Sequence, residues 1–445
     1  MMESSEAKPP GRKPDGISRR SFLRAGAAWL ASAPLLRAAA SGNHSVKPHV
    51  AVIGAGVFGG WAALHLLRRG ARVTLLDAWG PGHSRASSGG ETRIIRATYG
   101  PDRIYVRLVA RSLQLWQENG ERWRRPLFHK TGVLWMVGPD DRYERSALPL
   151  LEEAGLAFER LETKEAARRF PPINLEGVNW AIYESNAGYL TARIACAAVL
   201  EAFLAEGGEY RQLAVEPGAI ENGAMRGLKL SDGSTLAADR YVFACGPWLG
   251  KLFPAELGDL IQPTRQEVFF FGTPPGDGRF SEESLPAWID NGKRIFYGIP
   301  GNQGRGFKIA DDSHGAAFDP TSGERTPSSA GVAAARAYLA MRFPALKGAP
   351  LVEARVCQYE NSRDGHYILD RHPTAANVWV VGGGSGHGFK NGPALGEMTA
   401  AIVLEEKPVE PFFALARFAQ SAGGTREFHS QRRVSGGALP EGTNS

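Results

Sequence analysis

Residues 49–77 read HVAVIGAGVFGGWAALHLLRRGARVTLLD, and the order of their parts decides the fold. Residues 49–53 form a short apolar run, Gly54-Ala-Gly56-Val-Phe-Gly59 a glycine turn, and residues 60–69 an amphipathic helix. A second apolar run, residues 73–76, ends at Asp77, 23 residues after Gly54. This is a βαβ unit of the dinucleotide-binding kind. Its glycines let the chain turn tightly, admit a pyrophosphate close to the backbone and pack the helix on the strand. The helix N-terminus attracts the phosphate charge. Asp77 stands where an acid accepts a hydrogen bond from a ribose hydroxyl. A lone glycine fingerprint is a weak signal, but here strand, helix and acid are all in register.

Outward from this unit, residues 103–119 and 192–205 read as helices and residues 132–137 as a strand. Residues 240–245 read as a buried strand running into Gly246-Pro247-Trp248, and residues 267–271 and 294–299 are rich in β-branched and aromatic side chains. Residues 377–381 form a last apolar strand, followed by Gly382-Gly-Gly384-Ser-Gly386-His-Gly388 and a helix over 393–404. No internal repeat is evident. Dinucleotide-type features therefore sit at both ends of the chain, around a β-rich middle. The expected fold is α/β, a Rossmann-type nucleotide domain with an inserted α+β domain built on a mixed sheet. The expected nucleotide domain is discontinuous, over residues 46–130, 190–255 and 355–420, with residues 131–189 and 256–354 forming the second domain. A nicotinamide dehydrogenase would keep its nucleotide signals in one contiguous domain; repeated return to that domain suits a flavoprotein.

The chain carries a formal charge of +6, but residues 1–40 hold seven Lys/Arg against three acids, which leaves the rest nearly neutral. A neutral body excludes nucleic acid as the expected partner, because phosphate binding needs a concentrated basic face. The leader reads Ser18-Arg19-Arg20-Ser21-Phe22-Leu23-Arg24, then an apolar run over 25–36, then Ala38-Ala39-Ala40. Twin arginines before a mildly hydrophobic stretch and an A-x-A site are the pattern of a twin-arginine export signal. The run is too short for a stable membrane span, which needs roughly 20 residues. Residues 1–45 are thus expected to be an address read by the Tat translocon, and the protein to be periplasmic or otherwise exported. The tail from Gly423 is polar and glycine/serine-rich and is expected to be disordered. Cys196, Cys245 and Cys357 cannot all pair, so no disulfide framework is expected, and no metal site is read.

Several blocks are more specific than the nucleotide fingerprint. They are Ser88-Gly-Gly-Glu91-Thr92-Arg93-Ile94-Ile95-Arg96 with Tyr99-Gly100, residues 298–308, Cys357-Gln358-Tyr359, Asp370-Arg371-His372-Pro373, and Ser385-Gly386-His387-Gly388-Phe389-Lys390. In order and spacing they resemble the monomeric sarcosine oxidase and N-methyltryptophan oxidase family of the FAD-dependent D-amino-acid oxidase superfamily, over residues 47–420. That resemblance implies a glutathione-reductase-like FAD domain and a substrate domain whose sheet roofs the flavin.

The resemblance also implies roles, each beside a plainer alternative. Cys357 aligns with the cysteine that carries FAD through an 8α-thioether; the alternative is a buried structural thiol. Cys196 reads as core, and Cys245 as packed near the cofactor without a bond to it. Arg96 and Lys390 align with the pair that holds the substrate carboxylate, or else are two cations in unrelated ion pairs. Lys308 aligns with the lysine that activates oxygen, which would separate an oxidase from a dehydrogenase; otherwise it is a lysine on an exposed strand edge. Arg93 would support the reduced flavin, and Lys390 stands beside the cofactor as well as the substrate. Tyr297 and Tyr359 match tyrosines of the substrate cavity and read equally as core. Gly246, Trp248, Gly384, Gly386 and Gly388 complete the expected cofactor contacts. Two positions depart from the family: Ser88 and Gly89 replace its paired histidines, and Asp312 stands where it has an active-site histidine.

The expected function is FAD-dependent oxidation of a secondary or N-methylated amino acid to an imine, with dioxygen reduced to hydrogen peroxide. Two rivals stay open, a dehydrogenase of the same fold feeding a periplasmic carrier and a non-catalytic flavin-binding protein. A monomer is the expected state.

Overall fold

The computed structural model describes residues 47–420. The twin-arginine stretch and the polar tail from Gly423 lie outside the described residues. The first strand, His49–Ile53, is buried along its whole length, as a strand covered on both faces must be. It sits in a six-stranded sheet between Arg72–Leu76 and Arg240–Phe243, parallel to both. Ala375–Gly382 adds in parallel beyond Arg240–Phe243, Ile368–His372 pairs antiparallel outside it, and Glu209–Arg211 closes the other edge. The helix Val57–Arg68 packs against Ala192–Ala205 and Gly392–Val403. Glycine makes that contact possible: a β-carbon at Gly396 would meet the backbone of Trp61 at 2.7 Å.

The expected helix over 60–69 begins three residues earlier, at Val57, because Gly56 and not Gly59 ends the turn. The expected strand over 240–245 stops at Phe243, where the chain bends toward Gly246 at φ +53°.

A second, eight-stranded sheet holds Leu351–Ser362, Ile261–Phe271, Phe307–Asp311, Ile295–Ile299, Ala287–Asn291, Val133–Val137, Trp180–Glu184 and Glu159–Glu162, in that order. All its pairs are antiparallel except Ala287–Asn291 with Val133–Val137. The strand Leu351–Ser362 pairs with Ile261–Phe271 along its length, so the expected domain boundary at residue 355 falls inside a continuous strand. Alternation along these strands sorts their side chains. Phe269, Phe271, Trp288, Phe296, Phe307 and Ile309 enter an aromatic core with Tyr338 and Phe343 of the helix Ser329–Arg342 and the turn after it. The opposite face carries Phe270, Tyr297 and Lys308 to a cleft.

A three-stranded sheet, Thr92–Ile95 with Gly188–Thr191 and Phe128–His129, brings the Arg93 block to that cleft. Among the described residues no helix is long and apolar enough to cross a membrane.

Candidate functional site

The cleft has a volume of about 760 Å³. It is lined by Gly54, Gly56 and Asp77 of the first βαβ unit and by Gly246, Trp248 and Gly384. Gly386, Gly388, Cys357, Tyr297, Tyr359 and Lys308 line it as well. Gly54 holds φ +103°, and a β-carbon there would strike the Ala244 carbonyl oxygen at 2.4 Å, so only glycine makes this turn. Gly59 lies outside the cleft; its role is packing, since a β-carbon on it would overlap the Gly54 carbonyl oxygen at 1.9 Å. Asp77 accepts from the amide of Ala55 at 2.8 Å through one oxygen and from those of Trp79 and Gly80 at 2.9 and 2.8 Å through the other. Its carboxylate thus braces two turns at the edge of the cleft.

Strand register places Cys357, Tyr359 and Lys308. Cys357 pairs with Gln266 and Tyr359 with Thr264, while Lys308 pairs with Phe270. Lys308 is 2% exposed and donates to the Thr92 carbonyl oxygen at 3.0 Å. Arg93 donates to the same oxygen at 2.8 Å, and its guanidinium lies 3.8 Å from Cys357 Sγ. Two cations thus converge on one carbonyl. Burial, then the nearby Arg93, pulls the Lys308 amine down to about 7. The expectation of an exposed strand edge for this lysine is excluded by its burial.

Arg96 and Lys390 do not line the cleft but meet behind it on Tyr99. The Arg96 guanidinium stands 4.3 Å from the Tyr99 ring centre and donates to the Thr98 carbonyl at 2.6 Å. Lys390, 4% exposed, donates to Tyr99 Oη and to the His387 carbonyl, both at 2.9 Å. Neither cation is ion-paired within the described residues. Burial first and Arg96 second hold the Lys390 amine well below its usual range, with Asp312 and Glu184 acting the other way. Asp312 accepts from Tyr359 Oη at 2.6 Å, and burial lifts its carboxyl to about 6 against the pull of that bond and of Arg96.

The departure at Gly89 has a local cause. The loop from His83 closes through Gly89 N–H to the Ala86 carbonyl at 2.9 Å, and a β-carbon at Gly89 would meet the His83 carbonyl oxygen at 1.9 Å. No side chain fits there. Ser88 instead accepts from the Val57 amide at 3.2 Å, at the start of the first helix.

Three features of the cleft are not singled out by sequence reasoning. Glu360 lies buried beneath the Gly382–Gly388 loop. Arg325 presents Nε and Nη1 to the cleft as buried atoms without a partner in the described residues. Glu91 is gripped by Arg305 at 2.9 Å and Arg355 at 2.7 Å, with Arg193 at 3.6 Å. Glu360, beside the Cys-Gln-Tyr block, and Glu91, inside the Ser88–Arg96 block, stood at recognisable signals, while Arg325 stood at none. Among the described residues no cluster of three His, Cys, Asp or Glu side chains could hold a metal.

Residues 49–402 match the model of the family described as FAD dependent oxidoreductase. The chain is 33% identical over 370 residues to monomeric sarcosine oxidase of Bacillus sp. (strain B-0618), covering 80% of this chain and 92% of the relative. It is 31% identical over 386 residues to N-methyl-L-tryptophan oxidase of Salmonella arizonae, covering 84% of this chain and all of the relative. In fold it is similar to L-proline dehydrogenase from P. horikoshii, with a TM-score of 0.73 at 22% identity over 84% of this chain and 98% of that one. An Amadoriase I mutant from Aspergillus fumigatus gives a TM-score of 0.72 at 23% identity, over 87% and 93% of the two chains.

Proposed function

Because the chain belongs to the FAD-dependent oxidoreductase family that includes sarcosine oxidase and N-methyltryptophan oxidase, we propose that it oxidises the C–N bond of an N-substituted amino acid and passes the electrons to dioxygen, giving hydrogen peroxide. The observation that carries the amino-acid substrate is the meeting of Arg96 and Lys390 on Tyr99 without an acidic partner in ion-pair contact. Two buried cations whose nearest acids, Asp312 and Glu184, act only from beyond ion-pair contact are costly. A substrate carboxylate supplies the missing charge, draws the proton affinity of Lys390 back up, and matches the planar fork of arginine. An amine lacking a carboxylate offers this pair nothing.

The residues present suit FAD. The Gly54–Asp77 turn and the start of the first helix fit a dinucleotide. The orphaned Arg325 nitrogens fit a diphosphate, and Cys357 lines the same cleft as Tyr297 and Lys308. FAD, when bound, supplies the acceptor for the two electrons of the C–N bond and the route by which they reach dioxygen. The chain's own groups position and polarise. Tyr359 is fixed by Asp312, and Lys308 and Arg93 keep positive charge at the Thr92 carbonyl, where developing negative charge is stabilised. An amine that enters neutral needs no separate base, and none is assigned. Water hydrolyses the imine product.

The test is anaerobic mixing of the purified protein with N-methyl amino acids and with the same amines lacking the carboxylate. Bleaching of the flavin band by the first group only is expected; equal bleaching by both sinks the carboxylate requirement. In Arg96→Ala the concentration giving half-maximal bleaching rate rises by about 10- to 100-fold, the worth of a charge-assisted hydrogen bond. An unchanged half-saturation would remove Arg96 from substrate binding.

Export is proposed as well, on the strength of residues 18–40 alone. Replacing Arg19 and Arg20 together by Lys is expected to leave the protein in the cytoplasmic fraction, and unchanged secretion would refute the Tat reading.

A further inference from the structure

Five acids line the cleft, and four of them are already answered. Asp77 takes three amides, and Glu91 faces three arginines. Glu267 is bonded to Ser328 and Arg265, and Asp311 to Arg294. Glu360 differs. It is 5% exposed, no cation reaches it in the described residues, and Oε1 accepts from the Gly383 amide at 3.0 Å, with the Gly384 amide also directed at the carboxyl. No side-chain donor reaches Oε2 in those residues. It lies between the two glycine loops: β-carbons at Gly246 and Gly384 would stand 3.8 and 3.9 Å from it. Gly382 has no room for a side chain, since a β-carbon there would meet Oε1 at 2.3 Å. The strand Leu351–Ser362 thus drives a carboxyl up under both loops and leaves one oxygen facing the cleft.

We propose that Glu360 keeps its proton in the loaded protein and donates it from Oε2 to an oxygen of the cofactor, so that the cofactor's reduction potential depends on the ionisation of this carboxyl. The proposal rests on FAD occupying the cleft. A buried carboxylic acid without a cation holds its proton to unusually high pH. Burial raises Glu360 to about 8, opposed only by the amides of Gly383 and Gly384. The titratable group facing it from the loop after Arg240–Phe243 is the Cys245 thiol, which burial, Asp77 and Glu360 itself hold well above its ordinary value. Neither group supplies positive charge. Once the proton is lost, an uncompensated negative charge stands beside the cofactor and makes reduction harder.

The experiment compares flavin-loaded wild type with Glu360→Gln, which keeps an acceptor for the Gly383 amide and a permanent neutral donor. Reduction potentials are measured by equilibration with reference dyes, and the visible spectrum of the oxidised protein is recorded over the same pH range. The two potentials are expected to coincide below about pH 7, with the wild type falling below the variant as pH passes about 8. The oxidised band of the wild type should shift in one step over that range while that of the variant stays flat. Parallel potentials and spectra at every pH overturn the proposal. If Glu360→Gln loads no flavin, the wild-type spectrum decides: a one-proton step between about pH 6 and 9 supports the role, and a flat spectrum overturns it. Wild-type protein purified without flavin would overturn the cofactor reading itself, an outcome distinct from a flat titration of yellow protein.

Discussion

Acid precipitation of the Cys357→Ser protein is expected to give a colourless pellet and a yellow supernatant, where the wild type gives a yellow pellet. Cys357 lies on the long strand Leu351–Ser362 and lines the cleft, with Sγ 3.8 Å from the Arg93 guanidinium. A thiol attacks as its thiolate. The other two cysteines are poor candidates. Cys196 is buried in the helix Ala192–Ala205, where burial pushes its thiol up to about 12. Cys245 directs its thiol to the Ile53 carbonyl at 3.4 Å and is likewise held up by burial. The effect should be all or none, because a serine hydroxyl forms no thioether. Yellow colour surviving in the Cys357→Ser pellet would place the tether elsewhere, and a colourless wild-type pellet would leave FAD held without one.

In Lys308→Met, reoxidation of the reduced flavin by air is expected to slow by about 10²- to 10³-fold, the usual worth of one preorganised charge at a developing anion. Bleaching by substrate should change far less, because Lys308 and Arg93 hold the Thr92 carbonyl while Arg96 and Lys390 lie apart on Tyr99. The pH dependence has a definite sign. Lys308 is charged below its pKa, and burial has brought that value down to about 7 in the chain alone. Negative charge on the reduced cofactor raises it again, so reoxidation should be fast at low pH and fall once Lys308 loses its proton. The methionine variant should show no such fall. Equal slowing of both half-reactions would remove Lys308 from the oxygen step. A wild type that barely reoxidises in air would favour the dehydrogenase of the same fold.

The nucleotide turn was legible because all its signals are local: apolar run, glycines, helix and acid follow one another within residues 49–77. The strand Ile261–Phe271 was only half legible. Its second half is rich in β-branched and aromatic side chains, while Pro263 and Arg265 hide the first half, which exists because Leu351–Ser362 pairs along it. Glu360 and Arg325 could not be found in the same way. Their significance depends on which loop each faces, and that is set by register between segments far apart in the chain. Arg96 and Lys390 came from resemblance alone; the shared tyrosine that brings them together appears only in three dimensions. Gly89 shows the reverse case, a departure visible in the sequence whose cause is a loop carbonyl.

The six-stranded sheet has a consequence for the order of events during synthesis. Ile53, at the mouth of the nucleotide turn, pairs with Phe243, and Phe243 pairs with Val380. The glycine loop after Val380 then caps a cleft whose opposite wall is laid down by residues 307–311 and 351–362. Contacts of such long sequence separation form late and together. A ribosome that has released the first three hundred residues has made the turn but not the pocket, so the nascent chain has nowhere to keep a flavin. The lining of the cleft is therefore complete only once the last strand and its loop have docked.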